Sequence, residues 1–443
     1  MMTVRSKSIA AVIPFIVLAS YLLLSQVHDL ALNITALVVM TALITVILSF
    51  SLFKESKTGP RWSKSVILFT ALVIRLLFFS QPPTLSDDMF RYYVDGRQIL
   101  AGQNPYCKAP AQIKTVDTSL MAVLNKVNHP DLVTIYPPAA QIVFAVAAFT
   151  GSITGFKAIL VLMDLCVCLL ILLILEQMGS NRDRSILYAW HPLPVLETAS
   201  SGHIDTAALL FLFLALFLMN KKSWIQNAFS GVMLAASCLV KLFPFVFVPA
   251  FFWCSNRKTL MVKLLSFGIT LFVLCLVFLP DIMNGFSTLR LYMTDWEFSG
   301  FLYRSFRSAG MPSLVIRGLL AVVFLSIVIF HTLKSVNDQT IHGLICQFHA
   351  FSFAYLMLTP TLHPWYAIYL VAFLPFLPGV SGICLSWSVF LSYYVLIAYK
   401  SVGLWQESDV MAILVFSAPV LAWAFKATMN KLTSQYKQVN AAE

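Results

Sequence analysis

The chain has 443 residues, 59% of them hydrophobic and only 11% charged, with a mean hydropathy of +0.83, whereas a soluble protein carries roughly 25% charged residues. Apolar runs of about 20 residues recur along it, which excludes a large soluble core and predicts an all-α, polytopic integral membrane protein. The net charge of +11 does not point to nucleic acid, because the basic residues sit mostly in short loops between apolar runs, where they orient helices and meet anionic headgroups.

In chain order, spans are predicted at 9–26, 31–53 and 64–80. Arg5 and Lys7 precede the first, and no small-residue cleavage site follows it, so it reads as a retained anchor. The basic loop 54–61 belongs in the cytoplasm. With a cytoplasmic amino terminus, three crossings carry residue 81 to the other side, and loop 81–138 is expected outside. The run 139–154 is tempting as a span, but the next run, 156–178, ends in Asn181-Arg182-Asp183-Arg184 and must travel inward. Residues 139–154 are therefore expected to lie along or dip into the outer leaflet. Further spans follow at 186–200, 206–219, 228–240, 243–254, 260–279, 313–330, 341–358, 367–378, 383–399 and 409–425. That makes about 12–14 crossings, two or three of them short enough to be half-helices beside a cavity. The expected organisation is N-terminal spans at 1–81, an outer catalytic loop with non-spanning helices at 82–155, a transmembrane core at 156–430 and a cytoplasmic tail at 431–443.

Every polar cluster with chemical potential falls on the same, outer side in this topology. The first opens the long polar loop. Asp87, Asp88 and Asp95 crowd there beside Arg91, Arg97, Tyr92 and Tyr93. In a helix starting near Ser86, positions 88, 91, 92 and 95 share a face, and Gly102 with Asn104-Pro105 ends it. One of Asp87 and Asp88 suits helix capping; the other suits a general base. Arg91 and Arg97 suit ion pairs with Asp88 and Asp95 or, through their planar forks, phosphate oxygens. His203 and Asp205 join two apolar runs, with Glu197 deeper, and either interhelical hydrogen bonding or function would hold them there. Lys241 interrupts an apolar run and must snorkel, find a partner or meet an anionic phosphate. His363, between helix-breaking prolines, suits an interfacial aromatic belt or a donor to phosphate. A second outer loop, 281–312, holds Asp295, Glu297, Arg304 and Arg307. Seven of the eight cysteines lie in or beside apolar runs as fillers, and no metal-ligand spacing, phosphate-binding loop or nucleophile elbow occurs.

The run S-D-D-M-F-R-Y-Y-V-D-G-R-Q-I-L-A-G-Q-N-P-Y (86–106) resembles the first outer loop of GT-C glycosyltransferases. The succession H-P-D-L-V-T-I-Y-P-P (129–138), H-P-L-P-V-L-E-T-A-S-S-G-H-I-D (191–205), V-K-L-F-P (240–244) and L-H-P-W-Y (362–366) is similar to the polyprenyl-phosphate-dependent mannosyltransferase branch, glycosyltransferase family 87-like. That resemblance implies a multispanning GT-C enzyme taking a hexose, mannose first, from a polyprenyl-phosphate donor with inversion. The acceptor would be a glycan or glycolipid outside the membrane. It implies no metal and no cofactor, and an aspartate base four positions before an aromatic: Asp88 with Tyr92, or the adjacent Asp87.

In such a transfer the donor phosphate would be held by Lys241, His363 and Arg91, with Arg304 and Arg307 behind them. Arg91 would align Asp88, Tyr92 and Trp365 would offer faces to the sugar, and Asp95, Arg97, His203 and Asp205 would complete the sugar and acceptor contacts. The alternatives are a flippase or transporter of lipid-linked saccharides, which should gather its polar groups at the midplane and serve both sides, and a lipid-linked saccharide ligase or polymerase, with a bigger late loop. The expected setting is a bacterial inner membrane with a periplasm-facing site, serving cell-envelope glycan synthesis; oligomeric state is left open. Membrane-impermeant thiol reagents should label Asn125→Cys from outside the cell only; labelling from the cytoplasmic face would overturn this topology.

Overall fold

The computed structural model describes residues 4–53, 61–219, 221–334 and 340–440, with backbone alone for 4–11, 53 and 431–440. The expected basic loop at 54–60 and the side chains of Arg5, Lys7, Lys431 and Lys437 lie outside what is described. The regular elements among the described residues are helices, joined by loops, with isolated bridges from Phe298 and Ser299 to Thr361.

Among the described residues, seven helices are long and apolar enough to cross a membrane: Ile34–Leu52, Ile153–Gln177, Arg257–Val277, Ser313–Lys334, Ile341–Leu358, Val380–Val402 and Asp409–Asn430. Three of them, Arg257–Val277, Ser313–Lys334 and Asp409–Asn430, are only 6%, 17% and 17% buried. Their exposed Leu, Val and Phe side chains make a lipid-facing periphery, as expected where hydrocarbon replaces water. The other apolar segments are shorter, and several are broken. The expected span 186–200 is one: Ile186–Ala189 stops before His191-Pro192, and the chain widens into a π-type turn, Val195–Ser200. The reason is chemical, since proline removes a backbone donor and clashes with the preceding turn. Phe243–Phe247 and Pro364–Ala367 likewise start as tight 3₁₀ turns on Pro244 and Pro364. These short pieces sit inside the bundle, where neighbouring protein can satisfy the freed backbone groups.

Helix α1 (Val4–Ser25), α2 (Ile34–Phe53) and α3 (Lys64–Phe79) lead to the polar loop. There α4 (Asp88–Leu100) and α5 (Thr118–Leu124) are followed by α6 (Pro138–Ala148). With 11 residues, α6 is about 16 Å long, roughly half the hydrocarbon thickness. It packs against α4 so closely that a Cβ at Gly96 would lie 2.3 Å from the Phe144 carbonyl oxygen. Tyr92 stacks on Phe144 at 4.7 Å. After α4 the chain is pinned sideways: Asn104 donates to Asp281 at 3.0 Å, Asn284 donates to the Tyr106 carbonyl at 3.0 Å, and the Tyr106 hydroxyl donates to the Tyr136 carbonyl at 2.5 Å.

Helix α7 (Ile153–Gln177) carries an acid in its apolar body, and α3 carries the matching base. Arg75 Nε meets Asp164 at 2.5 Å, with both side chains fully buried. Tyr188 and Thr206 donate to the other oxygen of Asp164, and Arg75 also reaches the Ala71 and Ala189 carbonyls. This network clamps α3 and α7 to the broken segment at 186–200. Leaving one charge buried and unpaired costs about 3–5 kcal/mol. Arg75→Met should therefore lower the thermal unfolding temperature of the purified protein markedly, and Arg75→Met with Asp164→Leu should recover part of the loss, read by fluorescence-detected melting in detergent.

Candidate active site

The N-terminal turn of α4 is where the chain's chemistry converges. Asp88 is its first residue, so its carboxylate lies at the positive end of the helix dipole. Asn128 donates to Asp88 Oδ1 at 2.9 Å, and the Tyr92 and Tyr136 hydroxyls lie 3.4 and 3.5 Å from Oδ2. Tyr136 also touches Tyr92, hydroxyl to hydroxyl, at 3.1 Å. Asp88 is half-buried, neither packed away nor fully in solvent. Asp87 precedes the helix, makes no cap hydrogen bond, and has its carboxyl pushed up by burial, offset in part by Lys400. The capping role expected for one of the two aspartates is not taken by Asp87.

Across Tyr136 stands Lys241, the residue that ends the helix Trp224–Val240. Its Nζ donates to Asp205 at 2.9 Å and lies 5.7 Å from the Tyr136 ring and 5.6 Å from the Tyr366 ring. The lysine neither snorkels nor stands alone: a buried acid and two π-faces hold it. Asp205 opens the helix Asp205–Leu218, and its second oxygen has no partner among the described residues. The turn before it fits against α4 through Gly202, whose φ of +74 suits glycine and whose missing Cβ leaves room for Met89.

The third wall is a column of rings. His203 stacks on Trp365 at 4.0 Å, Trp365 on His363 at 4.3 Å, and His363 on Phe298 at 4.8 Å. Burial and the Lys241 charge push the His363 imidazole down to about 3, and the same causes, with His363 itself, hold His203 well below its ordinary value. Both rings are therefore neutral near pH 7, and the positive charge of the site is that of Lys241. Behind His203, Glu197 accepts from Tyr393 at 2.8 Å and approaches His203 Nε2 at 3.5 Å. Tyr366 joins Tyr292 hydroxyl to hydroxyl at 2.5 Å.

Several of the expected site residues have other partners in this geometry. Arg91 donates to Asp95 at 3.0 Å and to the Leu132 carbonyl at 2.7 Å rather than to Asp88, the ion pair with Asp95 being one of the two readings its spacing offered. Asn128 and the two tyrosines align Asp88 instead. Arg97 pairs with Asp117 at 3.4 Å. Arg304 is tied to Glu407 and Asp409, and Arg307 bonds the Met311 carbonyl in an exposed helix. Tyr92 has one face on Phe144, and Trp365 has both faces covered by imidazoles, so neither is an open platform for a ring. Asp88, Lys241, Asp205, His203 and His363 do gather. Asn128, Tyr136, Tyr292, Tyr366 and Tyr393 join them, unforeseen, although Tyr136 and Tyr366 sit inside conspicuous proline-aromatic motifs.

The column depends on one tight crossing, where Phe298 donates to the Pro360 carbonyl at 3.1 Å and Leu362 donates back to Phe298 at 2.6 Å. A Cβ at Gly300 would lie 2.6–2.8 Å from the backbone of Thr359 and Pro360. Gly300→Ala should pry this crossing open, costing about 1–3 kcal/mol as overpacking does, visible as a lower melting temperature and a red-shifted tryptophan emission. Residues 134–360, a little over half of the chain, match the family model of glycosyltransferase family 87. Asp88 and Asn128 lie ahead of that stretch, and His363 and Trp365 just beyond it. No curated protein matches the chain.

Proposed function

Starting from a chain that belongs to glycosyltransferase family 87, we propose that it moves a hexose, mannose first, from a polyprenyl-phosphate donor to a glycan or glycolipid acceptor at the outer face of the membrane, with inversion and without a metal or other cofactor. Membership sets aside the transporter reading. The observation that carries the proposal is the sharing of Tyr136: its hydroxyl lies 3.5 Å from Asp88 and its ring 5.7 Å from the Lys241 ammonium. An acid–base group and a cation thus face one small volume from two sides.

In the reaction the acceptor hydroxyl attacks the anomeric carbon from the face opposite the lipid phosphate. Its proton passes to the Asp88 carboxylate as the new C–O bond forms and the bond to the phosphate oxygen breaks. A positioned base of this kind contributes roughly 10²–10⁴-fold. The departing polyprenyl phosphate gains a negative charge and needs no proton. Lys241 meets that charge: an ammonium has three donors, and Asp205 takes one. His363 and His203 stay neutral and contribute ring edges and hydrogen bonds rather than charge. Asp205 positions Lys241, and Asn128 positions Asp88.

In reconstituted vesicles with polyprenyl-phosphate mannose and a lipid or glycan acceptor, Asp88→Asn should lower the release of polyprenyl phosphate by at least 10²-fold with an unchanged melting temperature. Normal turnover by that variant would remove Asp88 from its role. Asn128→Leu should lower kcat about 10–100-fold, the loss expected for one hydrogen bond to a charged group, with KM for the donor nearly unchanged.

A further inference from the structure

Next to the chemical centre lies an open cleft of about 450 Å³, walled by Asp295, Trp296 and Glu297 on one side and by Trp405, Gln406 and Glu407 on the other, with Arg304 at its base. That size falls within the roughly 300–1,000 Å³ of small-molecule sites. Trp405 is 50% exposed and Trp296 half-buried, so the cleft offers indole surface that the covered Trp365 cannot. Its polar lining is mostly acidic. Arg304 is already engaged by Glu407 at 2.8 Å and by Asp409, while Asp295 and Glu297 have no hydrogen-bond partner among the described residues.

One wall leads to Asp88 and the other to the column of rings. Trp296 meets the His129 ring edge-on at 4.7 Å, and the neighbouring residue, Asn128, is the one that holds the Asp88 carboxylate. His129 keeps an unusual φ of +44 at that junction. On the other side, Trp405 lies 5.5 Å from Phe298, which carries the stacked column of His363 and Trp365. Through these ring contacts the cleft borders the reaction centre.

We infer that this cleft is the subsite for the acceptor, and that the acceptor is a neutral saccharide chain of several units. Pyranose rings present an apolar C–H face that packs on indole, and a rim of hydroxyls that donate to carboxylates and amides. Arg304 is the one cation among the described lining residues and is shared among Glu407, Asp409 and Glu297, so the acidic excess of Asp295, Glu297 and Glu407 repels phosphate- or uronate-bearing chains. For the same reason the lipid phosphate of the donor belongs on the Lys241 side. This assignment rests on Asp88 being the base only for the direction in which the chain points, not for its binding.

The test is equilibrium binding to the full-length protein in detergent, followed by calorimetry and saturation-transfer NMR. The probes are neutral tetrasaccharides of mannose, glucose, galactose and N-acetylglucosamine, with a tetragalacturonate as the acidic counterpart. At least one neutral probe should bind, at least ten-fold more tightly than the acidic one. Trp405→Leu should weaken it ten-fold or more. Glu297→Gln, an exposed change that leaves packing intact, should narrow the discrimination against tetragalacturonate at least three-fold. Binding of no neutral probe, equal binding of the acidic one, or wild-type behaviour of both variants would overturn the proposal. Asp88→Asn should bind as the wild type does. If that variant still transfers sugar while the cleft still binds, the catalytic assignment falls and the cleft stands.

Discussion

A lysine ammonium held at the edge of hydrocarbon is the constraint around which this bundle is arranged. An isolated cation there costs several kcal/mol, and Lys241 avoids the cost by meeting Asp205 and the faces of Tyr136 and Tyr366. Those partners come from the start of one helix, the loop before α6 and the turn after Pro364. Fixing the lysine therefore fixes three otherwise distant segments. Tyr136 then fixes Asp88, and the Gly202 turn brings the base of the Asp205 helix onto α4. Binding and proton transfer follow from the same few contacts that keep a charge stable in an apolar setting.

Much of this was legible from residue order. A helix opening near Ser86 and ending before Asn104-Pro105, and Lys241, Asp205 and His363 as polar groups set where apolar patterning should continue, are read directly from charges and prolines. The partners were not legible, because they are set by distance along the chain. Arg91 finds the Leu132 carbonyl 41 positions away, and Arg304 finds Glu407 103 positions away. A helix-surface argument sees only neighbours three or four residues apart, so it reaches the pairing of Arg91 with Asp95 but neither the Leu132 contact nor the partners of Arg304. Arg75 and Asp164 escaped notice for a related reason: each is a single charge inside a run otherwise apolar, and their pairing spans 89 positions.

Aromatic residues show the same limit from another side. On sequence alone Trp365 is expected to offer a face to the sugar, as a large aromatic ring can. In the fold both of its faces are taken by His203 and His363. Indole surface beside the site is left instead at exposed Trp405 and half-buried Trp296, whose flanking sequence carries acids rather than prolines. Stacking uses up a ring face as surely as an ion pair uses up a charge.

Glu197 and Tyr393 are separated by 196 positions, yet the tyrosine hydroxyl is the donor that accompanies this buried carboxyl. At the roughly 5–20 residues per second of protein synthesis, the acid is made about 10–40 s before its donor exists. During that interval the nascent segment must keep Glu197 protonated or wetted at the insertion machinery. The hydrogen bond that serves Glu197 thus closes only after residue 393 has been made.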